Sequence, residues 1–450
     1  MDAGSNDSSD VTSKPRISKP PQNLKEFFNY MGPAWVFTAS QIGGGEALSV
    51  PLIAAFLGME GLWLIPLVAF TKIFGQYYLV RYGVLSGNTF LDGLWRKRRL
   101  RWLFYWIMIG GLVYSMGLTG HLSETAGTFN YMIPVSTAFW IIVTMLLALL
   151  IVLTRSYNLV ERVSTVLLWP FLFMITVVAI LVWPRLSELA LGFKIGMPGY
   201  VEPLGGEGWF VIALAFGWIG AGFGPTVSYI WFAKDKVMGM FEFDDGSHEA
   251  LTQEELDNLK GWRDVVLYQN VISSLLLGTF SLMIWIASSQ TLYKMDIRPT
   301  GFEVVPQMAH IFTMIYGDWS ALIFLLSIMA ALFSSIIGPL YGMSRLWEDG
   351  FGLHGFYERF NIKRRWFFRF TVLLFASIPL TFSLLTETPM FLFALSGVLF
   401  APIIGVMYLV AIWMSFKDIN SRLRPKRWWA IALGVFGAIM TILSSLLELI

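Results

Sequence analysis

The chain has 450 residues, of which 56% are hydrophobic and only 14% charged, whereas about a quarter of the residues of a soluble domain are charged. Its mean hydropathy is +0.63, and apolar runs of about 20 residues, the length that crosses the hydrocarbon core, recur along nearly the whole sequence. The net charge of +2 does not indicate a nucleic-acid partner, and the absence of cysteine excludes disulfides, thiolate nucleophiles and cysteine metal sites. The composition therefore predicts an all-α polytopic membrane protein.

Eleven apolar segments are predicted to cross the membrane, and we number these spans in chain order. Spans 1 to 11 cover residues 33–57, 61–85, 102–128, 136–154, 159–183, 208–234, 264–289, 319–343, 366–386, 389–415 and 427–448. With a cytoplasmic N-terminus, 25 of the 32 Lys and Arg residues lie in cytoplasmic segments and four in outer loops, while Lys72, Arg81 and Arg369 fall within spans. This asymmetry predicts that orientation, in an inner or plasma membrane, with the C-terminus outside.

The segments outside the spans divide the chain into a tail and a transmembrane domain. Residues 1–30 are polar and have no apolar core of the kind that a signal peptide needs, so they predict a disordered cytoplasmic tail. Residues 31–450 form the transmembrane domain. Its inner loop, residues 236–262, is acidic, and the sequence LTQEELDNLK within that loop predicts a short capped helix.

Span 1 is interrupted at its centre by QIGGGEALSV, residues 41–50. Gly43, Gly44 and Gly45 each cost roughly 1 kcal/mol relative to alanine in a helix, and a charge at bilayer depth, such as that of Glu46, costs at least ~2.5 kcal/mol. Capping of a helix N-terminus is one explanation for the acid. A substrate site is the other.

Span 6 has a similar interruption, because FGWIGAGFGPTVSYIWFAK places four glycines and Pro225 at mid-membrane. Two glycine-interrupted spans, five apart, are typical of a 5+5 inverted repeat whose broken helices line a substrate site, although close helix packing also uses glycine. The repeats cover residues about 31–185 and about 205–415, followed by an extra helix at about 427–448. We expect residues 43–45 and 220–224 to be non-helical and to face each other across a cavity. Glu46 and Thr226 are then expected in the first turn of the second half of their spans.

A set of motifs between residues 30 and 415 is shared with a known family. The motifs are GPAWVFTASQIGGGEALSVPLIAAFLGMEGLWLIPL, YGVLSGNTFLDG, HLSETAG in span 3, GAGFGPTVSYI in span 6, LFSSIIGPLYG in span 8, KRRWFFRF at span 9 and ALSGVLFAP in span 10. They resemble the Nramp divalent-metal transporters, which have the leucine-transporter fold. The resemblance implies 11 transmembrane helices with helices 1 and 6 broken.

The resemblance also implies which residues bind the substrate. The family motif Asp-Pro-Gly-Asn aligns with residues 43–46, Met-Pro-His with Gly224, Pro225 and Thr226, and a tenth-helix Gln with Gly397. Without the Met sulfur, the usual selection of manganese or iron is not expected. The remaining oxygen ligands suit Mg²⁺, Ca²⁺ or a partly hydrated cation, with Glu46 as the metal ligand. The candidate substrate-binding residues are Gln41, Gly43, Gly44, Gly45, Glu46, Gly222, Gly224, Thr226, Ser228 and Gly397.

Three further groups are candidates for ion coupling. Glu124 matches an acidic position of the family's proton route, and His121 lies one turn before it, so the two form either a proton relay or a buried hydrogen-bonded pair. Arg364 and Arg365 match ninth-helix arginines of the family, or anchor the topology. In the wider fold, two hydroxyls at the positions of Ser334 and Ser335 bind Na⁺, and helix packing is the alternative.

The sequence thus predicts a secondary active transporter that moves a cation by alternating access, coupled to H⁺ or Na⁺. One alternative is a transporter of a small organic substrate, such as an amino acid, amine or carboxylate. Another is a sensor that keeps the fold without transport. No cofactor-binding loop, ATP-binding motif or nucleophile–base spacing is found, so neither a cofactor nor an enzyme is expected.

Overall fold

The computed structural model describes residues 17–202, 205–242, 251–299, 305–307, 309, 313, 317–386 and 388–446, and these residues are almost entirely helical. Helices occur at the places of all eleven predicted spans, because backbone groups in lipid must pair within their own segment. In chain order they are Gly32–Gln41, Ile42–Ser49 and Val50–Leu57 (span 1), Leu64–Ser86, Arg101–Met132, Thr137–Val152, Tyr157–Leu181, Trp209–Trp218 and Phe223–Asp235 (span 6), Gln253–Ser288, Asp318–Gly352, Arg364–Leu385, Pro389–Lys417 and Trp428–Leu446.

Eight helical segments in the described part of the chain are long and apolar enough to cross a membrane. The helix at span 4, Thr137–Val152, is apolar but shorter. The helices at spans 1 and 2 are not among the eight, and both carry ionisable residues in their middle, Glu46 and Lys72. The count of eleven spans therefore stays a prediction, while the multi-pass helical architecture is observed.

Span 1 is not broken, which contradicts the prediction for residues 43–45. Instead, an α-helix ending at Gln41 passes directly into a π-helix, Ile42–Ser49, and then into a second α-helix. A π-helix widens the turn but keeps the backbone groups paired within the segment. Glu46 consequently lies inside the π-helix rather than in the first turn of a separate half-helix.

Span 6 is broken, as predicted, although two of the residues predicted to be non-helical, Phe223 and Gly224, already belong to its second helix. The first half, Trp209–Trp218, ends with Ile219 in an extended conformation, and the second half begins at Phe223. Between them, Gly220 has φ of +75°, a conformation that side chains other than glycine rarely adopt. The break exposes several peptide groups, which must find partners inside the protein.

The π-helix of span 1 is enclosed by other spans. It packs against spans 8, 7 and 3 and against the first half of span 6. Span 10 packs against spans 2, 3 and 6, and span 11 covers spans 10 and 2. Every residue of the π-helix is buried, so its polar groups contact protein rather than lipid.

The structure corrects two further predictions, one for the N-terminal region and one for the inner loop. Of residues 1–30, the first sixteen lie outside the described residues, but Ile17 is fully buried and Leu24–Tyr30 forms a helix, so a disordered tail over the whole range is wrong. The predicted short helix in the inner loop is the start of a 36-residue helix, Gln253–Ser288, which continues through span 7. Thr252 and Glu255 form the capping box at its N-terminus.

Candidate functional site

The break in span 6 is held by three side chains from spans 1 and 2. These side chains are Gln41, Glu46 and Lys72, and each is at least 98% buried. Their partners are backbone groups of residues 218–222, which the helix break leaves without helical partners. This arrangement is the candidate functional site.

Gln41 bridges the two halves of span 6. Its Nε2 donates to the carbonyl oxygen of Trp218, the last residue of the first half. Its Oε1 accepts from the backbone N–H of Gly222, the N-cap of the second half, at 2.6 Å. One amide therefore satisfies a freed acceptor and a freed donor on opposite sides of the break.

Glu46 is fully buried and points at the break. Its Oε1 accepts from the backbone N–H of Gly220 at 2.9 Å and lies 3.4 Å from the hydroxyl of Ser281 in span 7. Its Oε2 lies 3.4 Å from Nε2 of Gln41. The carboxylate faces protein rather than lipid, which agrees with the expectation that an intramembrane acid serves a site.

Lys72, in span 2, is the residue of this site that the sequence interpretation missed. Its Nζ donates to the carbonyl oxygens of Ile219, at 2.7 Å, and Ala221, at 2.9 Å. Lys72 and Glu46 thus contact adjacent residues of the break, since Glu46 contacts Gly220, which lies between Ile219 and Ala221. The available signal was its position, because an ionisable residue within an apolar span is a functional candidate by default.

The predicted residues of the second half of span 6 do not form one cluster. Thr226 lies beside the hydroxyl of Tyr408, and its carbonyl is 3.4 Å from Nε2 of Gln76. Ser228, two residues later, faces span 8, where a side chain on Gly342 would overlap it. Gly224 packs against the ring of Tyr114. Of the residues predicted here, only Gly222 contacts Gln41 directly.

The remaining predicted glycines lie at close approaches between spans. A Cβ on Gly43 would overlap Ala331 and Ser335 of span 8, and one on Gly45 would overlap Gln41 and the carbonyl of Trp218. Gly397 in span 10 lies directly against the backbone of Gly217. Close packing, the alternative explanation for these glycines, therefore accounts for their positions.

His121 and Glu124 are fully buried in span 3 and have different neighbours. The His121 ring lies 5.4 Å from the Trp218 ring, and its Nε2 faces Gly44 and has no hydrogen-bond partner among the described residues. Glu124 lies 3.5 Å from the backbone N–H of Val305, ahead of span 8. A relay between the two residues stays a prediction.

The arginine pair is exposed, whereas the serine pair is buried against span 1. Arg364 and Arg365 are exposed at the start of span 9, where Arg364 lies over the ring of Tyr357. Ser334 and Ser335 are buried, and both hydroxyl oxygens lie within hydrogen-bond distance of the carbonyl oxygen of Ala39 in span 1, at 3.0 and 3.1 Å. The hydroxyl of Ser334 lies closer, at 2.7 Å, to the carbonyl oxygen of Ala331 in its own helix. Two hydroxyls and a first-span carbonyl thus meet here, and binding of Na⁺ at this place stays a prediction.

A cation bound at the break of span 6 would need oxygen ligands from both side chains and the backbone. No group of three or more His, Cys, Asp or Glu residues suited to hold a metal occurs within the described ranges. Glu46 therefore has to be supplemented by carbonyl oxygens of the span 6 break. Such a donor set, one carboxylate with carbonyls, suits hard cations.

Known proteins share this fold. A family model described as Natural resistance-associated macrophage protein-like (Nramp) matches residues 34–449. A mutant of the manganese transporter of Eremococcus coleocola superposes with a TM-score of 0.70 at 15% identity, covering 98% of this chain and 90% of that chain. The same transporter in complex with an aromatic bis-isothiourea substituted compound gives a TM-score of 0.68 at 14% identity. No curated protein matches the sequence. The helical fold predicted from the sequence motifs is confirmed, except that span 1 is continuous rather than broken.

Proposed function

Because the chain belongs to the Nramp family, we propose that it is a secondary active transporter that moves a divalent cation across the membrane by alternating access. The N-terminus is on the cytoplasmic side of an inner or plasma membrane, as the distribution of Lys and Arg favours. The protein is not an enzyme. The manganese transporter that it resembles in fold supports a divalent substrate.

The observation that carries the proposal is the buried carboxylate of Glu46 at the break of span 6. Glu46 accepts from the backbone N–H of Gly220. The neighbouring carbonyl oxygens, of Ile219 and Ala221, accept from Nζ of Lys72. These ligands are oxygens, and Gly224 stands where the family has a soft methionine sulfur. Mg²⁺ and Ca²⁺ are therefore the expected substrates, and Mn²⁺ binds weakly.

Two candidate routes for coupling are supported by different residues. Burial of His121 and Glu124 in span 3 supports proton coupling, since ionisable groups at membrane depth mark proton relays. The contacts of Ser334 and Ser335 with Ala39 support Na⁺ coupling. Uptake into proteoliposomes distinguishes proton coupling from Na⁺ coupling, because only one of the two gradients drives uptake.

A small organic substrate is the second candidate. The observation that favours it is the presence of both an acidic and a basic side chain at the break. Lys72 and Glu46 carry opposite charges at the same break, and Gln41 offers both a donor and an acceptor there. Such a set complements a zwitterion, whose carboxylate would bind the lysine and whose ammonium would bind the glutamate. Competition of amino acids with Mg²⁺ uptake would favour this candidate.

The test is uptake of Mg²⁺, Ca²⁺ and Mn²⁺ into proteoliposomes under an imposed pH or Na⁺ gradient. We expect Mg²⁺ or Ca²⁺ uptake by the wild type and at least a tenfold loss in Glu46→Gln, because the amide cannot neutralise the cation. Glu60→Gln is the matched control, since Glu60 is exposed. Absence of flux for every cation would leave the organic-substrate and sensor alternatives. Low-micromolar Mn²⁺ binding that depends on Glu46 would overturn the proposed selectivity.

A further inference from the structure

The ammonium group of Lys72 occupies a position built like a cation site. The side chain is 98% buried, and Nζ contacts two carbonyl oxygens, of Ile219 and Ala221, at 2.7 and 2.9 Å. These carbonyls belong to the break, where the backbone leaves the helix and its acceptors lack helical partners, although the carbonyl of Ile219 also accepts from the N–H of Ala221 at 2.9 Å. Glu46 accepts from the N–H of Gly220, the residue between them, at 2.9 Å.

The same oxygens cannot serve Lys72 and a metal ion at once. Ca²⁺ takes oxygen ligands at 2.3–2.6 Å and Mg²⁺ at 2.0–2.1 Å, so an ion on these carbonyls would overlap an ammonium nitrogen that lies at hydrogen-bond distance from both. A divalent ion beside a lysine ammonium also adds two positive charges to one that is already buried. Like charges in a low-dielectric interior repel strongly. Binding of the ion therefore requires Lys72 to leave the carbonyls.

We propose that Lys72 is an internal cation that holds the carbonyls of the span 6 break in the absence of substrate, and that a substrate cation binds by displacing it. This inference rests on the proposed cation transport. Lys72 is thus a residue that sets affinity and selectivity, not a ligand of the substrate.

Displacement has two consequences for transport. Without substrate, the charges of Glu46 and Lys72 compensate each other, so the empty protein can close without leaving a buried carboxylate unpaired. A monovalent ion would gain no more charge interaction at the site than the ammonium that it replaces. A divalent ion gains more, so the tethered ammonium favours divalent over monovalent substrates.

The test is calorimetric titration of the purified full chain with Mg²⁺ and with Ca²⁺. Lys72→Gln removes the charge but keeps a donor for the carbonyls, and we expect cation binding at least tenfold tighter than in the wild type. Lys72→Arg keeps a cation at the same place, and we expect no such gain. In Lys72→Gln, 100 mM Na⁺ should weaken Mg²⁺ binding more than it does in the wild type. A purely structural lysine would instead lose binding in both variants.

The outcomes separate this inference from the proposed function. Wild-type binding that depends on Glu46, together with unchanged or weaker binding in Lys72→Gln, overturns the role of Lys72 and leaves cation transport standing. Absence of binding in the wild type and in both lysine variants, each monodisperse and with a normal melting temperature, refutes the transport proposal itself. Where Lys72→Gln does not fold, Lys72→Met, which keeps the aliphatic stem, is judged by the same criteria.

Discussion

The imidazole of His121 fills the space beside Gly44 in the π-helix. A methyl group on Gly44 would overlap Nε2 of His121 and contact the ring of Trp218. The imidazole cannot move aside freely, because it packs against the rings of both Trp218 and Phe393, which are stacked on each other with centroids 4.3 Å apart. Glycine at this position therefore serves a close approach between spans 1 and 3, in addition to any effect on the helix type.

This contact predicts the effect of a single methyl group. Alanine is favoured over glycine in a helix by about 1 kcal/mol, whereas overpacking of a filled interior costs about 1–3 kcal/mol. We expect Gly44→Ala to be destabilising and Gly44→Ala with His121→Ala to recover stability relative to His121→Ala alone. Melting temperatures of the four proteins in detergent form the double-mutant cycle. Additive effects of the two substitutions would contradict the contact.

Residue types near the site were predictable, but their partners were not. Glu46 was found because an acid within an apolar run has few explanations. Lys72 was missed because its partners are backbone carbonyls 147 and 149 residues away, which carry no sequence signal. Thr226 and Ser228 are both predicted to contribute hydroxyl groups to one site, yet two residues along a helix project to different sides.

At the scale of elements, the N-terminal strap, residues 17–22, fastens the start of the long span 7 helix. Ile17 is fully buried, and its carbonyl accepts from Nδ2 of Asn258 at 3.0 Å. The carbonyl of Ser18 accepts from Nε1 of Trp262 at 3.0 Å, and its N–H donates to Glu242 at 2.7 Å. The strap therefore connects the N-terminal region to both described ends of the inner loop.

Removing the Ile17 side chain should release the strap. Truncation of a buried isoleucine to alanine costs about 2–5 kcal/mol of folding free energy. That loss is large for a strap of only six residues. We expect Ile17→Ala to increase amide hydrogen exchange at residues 17–22 and 251–262 at least tenfold. Leu24→Ala is the matched control, because Leu24 is 76% exposed. Equal exchange in wild type and Ile17→Ala would show that the strap is not held by this side chain.

The two interrupted spans differ for a reason that composition does not reveal. Glycine lowers the preference for an α-helix in both, so both were predicted to be non-helical. In span 6, Gly220 adopts a positive φ, and Gln41, Glu46 and Lys72 satisfy the freed groups. In span 1, other spans pack closely against residues 43–45, and these residues form a π-helix. A π-helix keeps its backbone hydrogen bonds within the segment. The distinction depends on tertiary contacts.

At the scale of the whole molecule, an ion network joins helices at the predicted cytoplasmic side. It connects the end of span 6 with span 8 and with the loop between spans 4 and 5. Arg345 contacts Asp235 at 2.9 Å and Glu348 at 2.5 Å. The other members are Arg155, which pairs with Glu348, and Lys234, which pairs with Asp349. We expect the proposed alternating access to separate the second half of span 6 from span 8 when this side opens.

Loss of Arg345 should therefore favour opening toward the cytoplasm. Removing one partner of a buried ion pair costs about 3–5 kcal/mol, and 1.4 kcal/mol changes a population ratio about tenfold. Since the chain has no cysteine, Thr226→Cys provides a single reporter that is fully buried in this closed arrangement. We expect Arg345→Gln to raise the labelling rate of that cysteine by a membrane-impermeant maleimide from the cytoplasmic side at least tenfold. The exposed Arg359→Gln is the matched control and should leave the rate unchanged. Equal rates in all three backgrounds would show that the network does not control access to span 6.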